Sequence, residues 1–176
     1  MEQEYTITAF SENSIGLLNR ITIIFTRRHV NIESLTVSES ALKGIHKFTI
    51  VVNSTPEKVE KVTKQIEKLV EVLKAYYHTN EEIITQEIAL YKVPTEALMK
   101  SNEIENLVRN SGAKILEITP DYTVIEKTGY KSETQELFGK LDKYGVLQFT
   151  RSGTVAVTKN AKELLSAYLK DLEKLN

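Results

Sequence analysis

The sequence of 176 residues contains no cysteine, only seven glycines and no apolar run that approaches the length of a membrane span. Without cysteine, the chain can form no disulfide and has no thiolate for catalysis or metal binding. A formal net charge of -1 gives no general attraction to nucleic acid or to anionic lipid. The acidic start, without a basic segment or an apolar segment after it, is not that of a secretory signal. We therefore expect a cytoplasmic protein with neither nucleic acid nor membrane as a partner.

Motifs that carry catalytic chemistry are also missing. There is no nucleophile elbow, phosphate-binding loop or dinucleotide fingerprint. His29, His46 and His78 fall in different predicted elements and have no paired acidic residues at metal-ligand spacing. The glutamates between residues 57 and 71 alternate with lysines, as on a solvated helix face, and Arg27-Arg28 lacks the interleaved aromatics of a nucleic-acid site. We predict no catalytic residue, metal or cofactor in this chain.

What the sequence does contain is one order of strands and helices that occurs twice. Alternating apolar residues predict strands, and apolar residues three and four apart predict amphipathic helices. In the first half, we predict a strand at 5–10, a helix whose leucine side packs inward at 17–25, strands at 32–37 and 45–52, a helix at 56–69 and a strand at 70–76. The order is βαββαβ.

The second half repeats this order. We predict a strand at 88–93, a helix at 96–111, strands at 114–119 and 122–126, a helix around 137–141 and a strand at 146–150. The fold class is thus α+β, with two ferredoxin-like βαββαβ domains in tandem, each an antiparallel sheet with two helices on one face. We place the domains at 1–79 and 80–158, followed by an amphipathic C-terminal helix at 159–176. A second copy of the chain is expected to cover the other face of the sheet.

The turn Asn13-Ser14-Ile15-Gly16 between the first strand and helix is the candidate binding site. Unpaired backbone N–H groups and the positive end of the helix dipole suit a small anion such as a carboxylate. A simpler interpretation is that Asn13 or Ser14 caps the helix and Gly16 relieves backbone strain. Asn31 can likewise be read as an ordinary left-handed turn residue. The residues alone leave both interpretations open.

A resemblance favours the binding site. Asn13, Gly16, Leu18 and Arg20 form an N-x-x-G-x-L-x-R motif, which is followed by the segment NIESLTV at 31–37. Both resemble the start of the acetolactate synthase small regulatory subunit. The similarity continues through four further segments, at 70–72, 87–93, 119–124 and 151–153. It covers nearly the whole chain except the last helix.

The resemblance implies an N-terminal ACT domain that binds a branched-chain amino acid, valine above all, at a homodimer interface. It also implies a partner, the acetolactate synthase catalytic subunit, which would carry thiamine diphosphate, Mg and FAD, while this chain carries no cofactor. Carried over by position, Asn13, Ser14, Ile15 and Gly16 hold the effector and Asn31 reaches in from the other protomer. Asn19 and Thr36 occupy nearby motif positions.

Two residues depart from the family pattern. His29 stands where the family often has glycine, and Asn19 replaces a usual serine or threonine. Histidine enters left-handed turns more readily than most residues, whereas a longer amide at 19 changes the volume and the donors beside the ligand. The alternative function is a free-standing amino-acid sensor that acts on another enzyme or on a transcription factor.

Overall fold

A computed structural model describes residues 1–100, 102–162 and 164–173 of the chain. The backbone forms two compact units, one made of Met1–Thr85 with Thr154–Asn176 and the other of Gln86–Gly153. The predicted α+β fold with a repeated βαββαβ order is confirmed. The compact units group the segment from Thr154 onwards with the first half, and the domain boundaries proposed from the sequence stay a prediction.

The first unit is built on a four-stranded antiparallel sheet. Its elements are β1 (Gln3–Glu12), α1 (Leu17–Arg27), β2 (Ser34–Glu39), β3 (Ile45–Ser54), α2 (Pro56–Ile66) and β4 (Val72–Thr79). The strand order is β2-β3-β1-β4, so that β1 and β3 are central and β2 and β4 lie at the edges. The last strand begins two residues later than predicted because exposed Val70 still belongs to the turn after α2, where Val72 N–H donates to Leu69 O.

The two helices of this unit pack on one face of the sheet. In α1 the buried residues are Leu17, Ile21 and Phe25, which recur every four positions and so share one side of the helix. In α2, Thr55 is the N-cap and Pro56 opens the first turn, where its missing N–H costs nothing. Leu18, which we predicted to pack inward, is 45% exposed.

The opposite face of this sheet is covered by the chain itself. β9 (Val155–Thr158) and α6 (Leu164–Glu173) belong to this unit. Lys47 Nζ on β3 donates to Ala156 O at 2.6 Å, and Tyr76 Oη on β4 donates to Leu164 O at 3.3 Å. A second copy of the chain, which we expected on this face, is therefore not needed to cover these positions. For this last helix the sequence predicts a capping box from Asn160 to Glu163, and Glu163 lies outside the described residues.

The second unit repeats the arrangement. Its elements are β5 (Ile83–Pro94), whose first residues belong to the first unit, α3 (Thr95–Lys100), α4 (Glu103–Ser111), β6 (Lys114–Ile118), β7 (Tyr122–Gly129), α5 (Lys131–Asp142) and β8 (Gln148–Arg151). The strand order β6-β7-β5-β8 matches that of the first sheet position by position, and β9 pairs with β5. The single helix predicted at 96–111 is in fact two helices, and the last strand is shifted by two residues at its start.

Candidate functional site

The turn between β1 and α1 is opened by a left-handed glycine. Gly16 is the N-cap of α1 with a φ of +81°, a conformation that costs other L-residues about 1 to 2 kcal/mol. A Cβ atom at this position would meet nothing within 4 Å. The backbone conformation, and not a lack of space, is therefore what requires glycine here.

One part of the simpler interpretation is confirmed, because Gly16 adopts the left-handed conformation that strains other residues. The other part is not, because Gly16 itself is the N-cap and the helix has no side-chain capping hydrogen bond from Asn13 or Ser14. Inside the turn, Leu17 N–H donates to Ser14 O at 3.3 Å. Within the described part of the chain, the N–H groups of Ser14, Ile15 and Gly16 donate to no protein acceptor. The turn therefore offers several backbone donors at the positive end of a helix, where a carboxylate is stabilised.

Apolar side chains stand beside these donors. Ile15 is fully exposed and Leu18 is 45% exposed, although both are large aliphatic residues. Their exposure places an aliphatic surface next to the polar turn. Such a surface suits the side chain of an aliphatic ligand or contact with a second protein chain.

The first arginine after the turn in the sequence, Arg20, is paired with a residue of another segment. Arg20 of α1 forms a salt bridge with Glu71, and this hydrogen bond lowers the pKa of the Glu71 carboxyl group. Since Arg20 and Glu71 are 51 positions apart, no local pattern in the sequence indicated the pair. The pairing leaves the backbone N–H groups, and not the Arg20 guanidinium group, as the hydrogen-bond donors of this turn.

The remaining predicted site residues lie on other elements. Asn19 is exposed in the first turn of α1, and its backbone oxygen accepts a hydrogen bond from Thr22 Oγ1 at 3.0 Å. Asn31 is exposed in the loop after α1, where Nδ2 donates to Glu33 Oε1 at 2.9 Å. None of the hydrogen bonds among described residues joins Asn19 or Asn31 to the Asn13–Gly16 turn. Their assignment to the effector site stays a prediction.

Thr36 differs from these two residues because its hydroxyl is buried. It lies on β2, opposite Thr49 of β3, and Oγ1 has no hydrogen-bond partner among the described residues. Buried hydroxyls in native proteins are nearly always paired. A polar group without a partner on an edge strand is consistent with a contact that is completed by another molecule.

His29 ends α1 in the manner of a glycine. Its φ of +52° is the only positive value of a non-glycine residue among the described residues. The N–H of His29 donates to Thr26 O and that of Val30 to Phe25 O, both at 3.1 Å, as in a left-handed helix C-cap. Histidine thus fulfils the backbone role of the glycine that the family often has, and Asn31 is not the left-handed residue of this loop.

Among the described residues, no group of three or more His, Asp or Glu side chains is placed to hold an ion. Within the same residues, no helix combines the length and apolarity that crossing a bilayer demands.

Family models match both halves of the chain, and one of them identifies the domain type of the first unit. A family model described as the AHAS small subunit-like ACT domain matches residues 7–74, and one described as the small subunit of acetolactate synthase matches residues 86–160. The first match runs from within β1 to the start of β4, so it includes the turn and both helices of the first unit. The fold and this match define an α+β protein with an ACT domain in its first unit.

Relatives over the full length make the assignment specific. The chain is 36% identical to the acetolactate synthase small subunit of Bacillus subtilis, over 92% of this chain and 94% of that protein. It is 33% identical to the probable small subunit of Archaeoglobus fulgidus, over 91% and 99%. The crystal structure of the Thermotoga maritima acetolactate synthase small subunit matches with a TM-score of 0.82 at 30% identity, over 91% of this chain and 99% of that one. The chain belongs to the acetolactate synthase small-subunit family.

Proposed function

We propose that this chain is a non-catalytic regulatory subunit that activates the catalytic subunit of acetolactate synthase. It also confers feedback inhibition by valine on the synthesis of branched-chain amino acids. The observation that carries the proposal is the open, left-handed Asn13–Gly16 turn at the start of α1, in a chain that is similar to named small subunits over more than nine-tenths of its length. Catalysis, with thiamine diphosphate, Mg and FAD, is assigned to the other subunit.

The effector binds through the backbone of the turn. The carboxylate of valine accepts hydrogen bonds from the N–H groups of Ser14, Ile15 and Gly16, which lie at the positive end of α1. The aliphatic side chain of valine rests against Ile15 and Leu18, whose exposure is otherwise unfavourable.

A second copy of the chain completes the site. β2 is an edge strand with exposed Val37 and the unpartnered hydroxyl of Thr36, features that suit contact with another chain. In the homodimer, Asn31 of the other protomer supplies an amide to the ligand. The dimer is therefore the unit that senses valine.

The energies are of the right size for such a switch. Allosteric coupling is typically about 1 to 3 kcal/mol, and burial of one aliphatic side chain contributes roughly 1.5 to 3 kcal/mol. A ligand shifts the equilibrium only by its difference in affinity for the two states. Since one methylene discriminates by only about 1 to 3 kcal/mol, leucine and isoleucine are expected to compete with valine.

Isothermal calorimetry with valine tests the site. In the variant Gly16→Asp, a carboxylate occupies the place of the ligand's own carboxylate, so binding should be lost. Gly139→Asp is the matched control, because Gly139 lies in α5 of the second unit, where an added Cβ meets nothing within 4 Å. Equal affinity of the wild type and Gly16→Asp, with both folded, would remove the site assignment.

Mixing experiments test the regulatory role. Addition of the chain to an acetolactate synthase catalytic subunit should raise the rate and make it sensitive to valine. If the chain binds valine but leaves the rate and its valine response unchanged, the regulatory-subunit proposal fails and the free-standing sensor replaces it. A pull-down then distinguishes a large thiamine-diphosphate enzyme from another target.

A further inference from the structure

A cleft of about 240 Å³ lies between α4 and α5 of the second unit. Residues of the last turn of α4 and of α5 form its sides, and Lys127 of β7 lies between them. Because Ile125 belongs to the core beneath both helices, Lys127, two positions later on the same strand, lies on the same face of the sheet. Its cross-strand partner Ala89 is also part of that core. A lysine thus occupies a position whose neighbours along and across the strands are buried and apolar.

The ammonium group of Lys127 has no partner in the protein. Its side chain is partly buried, and among the described residues it takes part in no hydrogen bond, salt bridge or cation–π contact. The second lysine of the cleft, Lys140, differs because it forms a salt bridge with Glu136 at 2.5 Å. Lysine is almost never fully buried unless it is paired. A partly buried lysine without a partner is therefore available to bind a ligand.

A carboxylate approaches the same point as this lysine. Gly129 lies two positions after Lys127 and does not have a positive φ. A Cβ atom on Gly129 would lie 2.7 Å from Glu133 Oε2 and 3.3 Å from Lys127 Cε, so the two charged side chains flank the same glycine. Among the described residues, no salt bridge joins them. Glu133 Oε2 accepts the Tyr130 N–H at 2.7 Å, which leaves Oε1 for another donor.

The end of α4 adds polar groups to the cleft. The side-chain amide of Asn110 has no hydrogen-bond partner among the residues that the structure describes. Ser111 Oγ donates to Leu107 O at 2.7 Å and can still accept a hydrogen bond. The cleft thus offers hydrogen-bonding groups beside one available charge of each sign.

We propose that this cleft is a second ligand site, which takes a small zwitterion of the chemical class of the polar α-amino acids. The carboxylate of the ligand accepts hydrogen bonds from the Lys127 ammonium group and the Asn110 amide, and its ammonium group donates to Glu133 Oε1. One ligand thereby pairs two side chains of opposite charge that do not pair with each other. The volume lies below that of sites for drug-sized ligands, roughly 300 to 1,000 Å³, and so selects a small molecule.

Nuclear magnetic resonance titration of the full chain with L-serine tests the proposal. L-Serine should shift the amide signals of Asn110, Lys127 and Glu133. N-acetyl-L-serine lacks the ammonium group and L-serinamide lacks the carboxylate, so each should bind at least about tenfold more weakly. Equal affinity for L-serine and both analogues, or L-serine shifts that leave the cleft unchanged and are confined to the Asn13–Gly16 turn, would overturn the proposal.

Two variants remove the charges of the cleft one at a time. Lys127→Met keeps most of the aliphatic stem and removes the ammonium group. Glu133→Gln removes the negative charge and keeps an acceptor for the Tyr130 N–H. Each variant should weaken the binding of L-serine at least about tenfold. Wild-type affinity in either variant would contradict the site.

Matched controls separate the cleft from other charges and from the valine site. Lys114→Met and Glu117→Gln make the same exchanges at exposed residues of β6 outside the cleft, and should leave the affinity for L-serine unchanged. An equal loss of affinity in these controls would show that net charge, and not the cleft, determines binding. Gly16→Asp should still bind L-serine in the cleft, so that failure of the two sites can be told apart.

Discussion

The two units differ most at the junction of their first strand and first helix. In the first unit, four residues separate β1 from α1, and the turn is open with a left-handed Gly16. In the second unit, β5 ends at Pro94 and α3 begins at Thr95, whose buried hydroxyl donates to Thr119 O at 2.7 Å and lies 2.9 Å from Thr123 Oγ1. One topology thus carries an accessible junction and a sealed one. The proposed ligand site therefore depends on the local turn and not on the fold alone.

The interiors of the two units also differ. The core of the first unit is apolar and includes more buried residues than that of the second. The second unit buries the Glu87 carboxylate, which accepts a hydrogen bond from Thr134 Oγ1 and lies 3.5 Å from Arg151 Nη1. Burial, together with the Glu87 charge, raises the pKa of neighbouring Tyr91 to about 12. The stability of the second unit therefore depends more on a buried polar network, in which the loss of one partner is costly.

If both units are organised by the same helix-on-sheet packing, truncation of a buried helix residue should be severe in each. Ile21→Ala in α1 and Ile104→Ala in α4 remove fully buried side chains and should each lower the free energy of unfolding by about 2 to 5 kcal/mol. Ile23→Ala, on the exposed side of α1, should cost less than about 1 kcal/mol. Urea unfolding of the three variants provides the measurement. Equal losses for Ile21→Ala and Ile23→Ala would mean that the wrong face of α1 has been assigned to the core.

The sealed junction of the second unit depends on one hydroxyl. Thr95→Val keeps the shape but leaves Thr119 O and Thr123 Oγ1 without this partner, so it should destabilise the chain by about 1 to 3 kcal/mol. Thr128→Val is the control, because the Thr128 hydroxyl bonds Glu126 at an exposed site. We expect that control to change stability by less than about 0.5 kcal/mol. Comparable urea midpoints for the two variants would show that Thr95 does not seal the junction.

The open junction depends on backbone conformation instead. Gly16→Ala should lower stability by about 1 to 2 kcal/mol, because alanine is strained at positive φ. Gly139→Ala, in α5 and without positive φ, should raise stability by about 0.5 to 1 kcal/mol through helix propensity. Thermal unfolding of both variants measures whether the two changes in stability have opposite signs. A neutral or stabilising Gly16→Ala would show that the turn does not require its left-handed residue.

Sequence periodicity was sufficient for the repeated order because each strand and helix is a local pattern. Periodicity was not sufficient where the three-dimensional structure decides which of two adjacent residues is buried, or where a helix ends. Leu17 and Leu18 both fit the helical spacing, but only Leu17 is buried, in line with Ile21 and Phe25. The predicted helix at 96–111 kept its periodicity across two helices, so the pattern could not reveal the division.

The sequence predicted the turn of the candidate site, but it did not predict the tertiary contacts around that turn. Asn13 to Gly16 combine turn residues before an apolar helix, and the family resemblance adds a predicted role in effector binding. The Arg20–Glu71 pair and the cover of the sheet by Ala156 and Leu164 join residues far apart in sequence. Contacts of this kind follow from the tertiary fold and produce no regular spacing in the sequence.

Burial of His78 in the first unit should make the free energy of unfolding slightly dependent on pH. Because burial lowers the pKa of His78 in the folded state below its ordinary value of 6.5, the unfolded chain binds a proton more readily. Stability contributed by neutral His78 is therefore present above pH 6.5, is lost as the pH falls from that value, and stops changing below the folded-state pKa. The free energy of unfolding should fall less between pH 7 and pH 5 in His78→Gln than in the wild type. Parallel pH profiles for the two proteins would show that His78 is not shielded by the C-terminal segment.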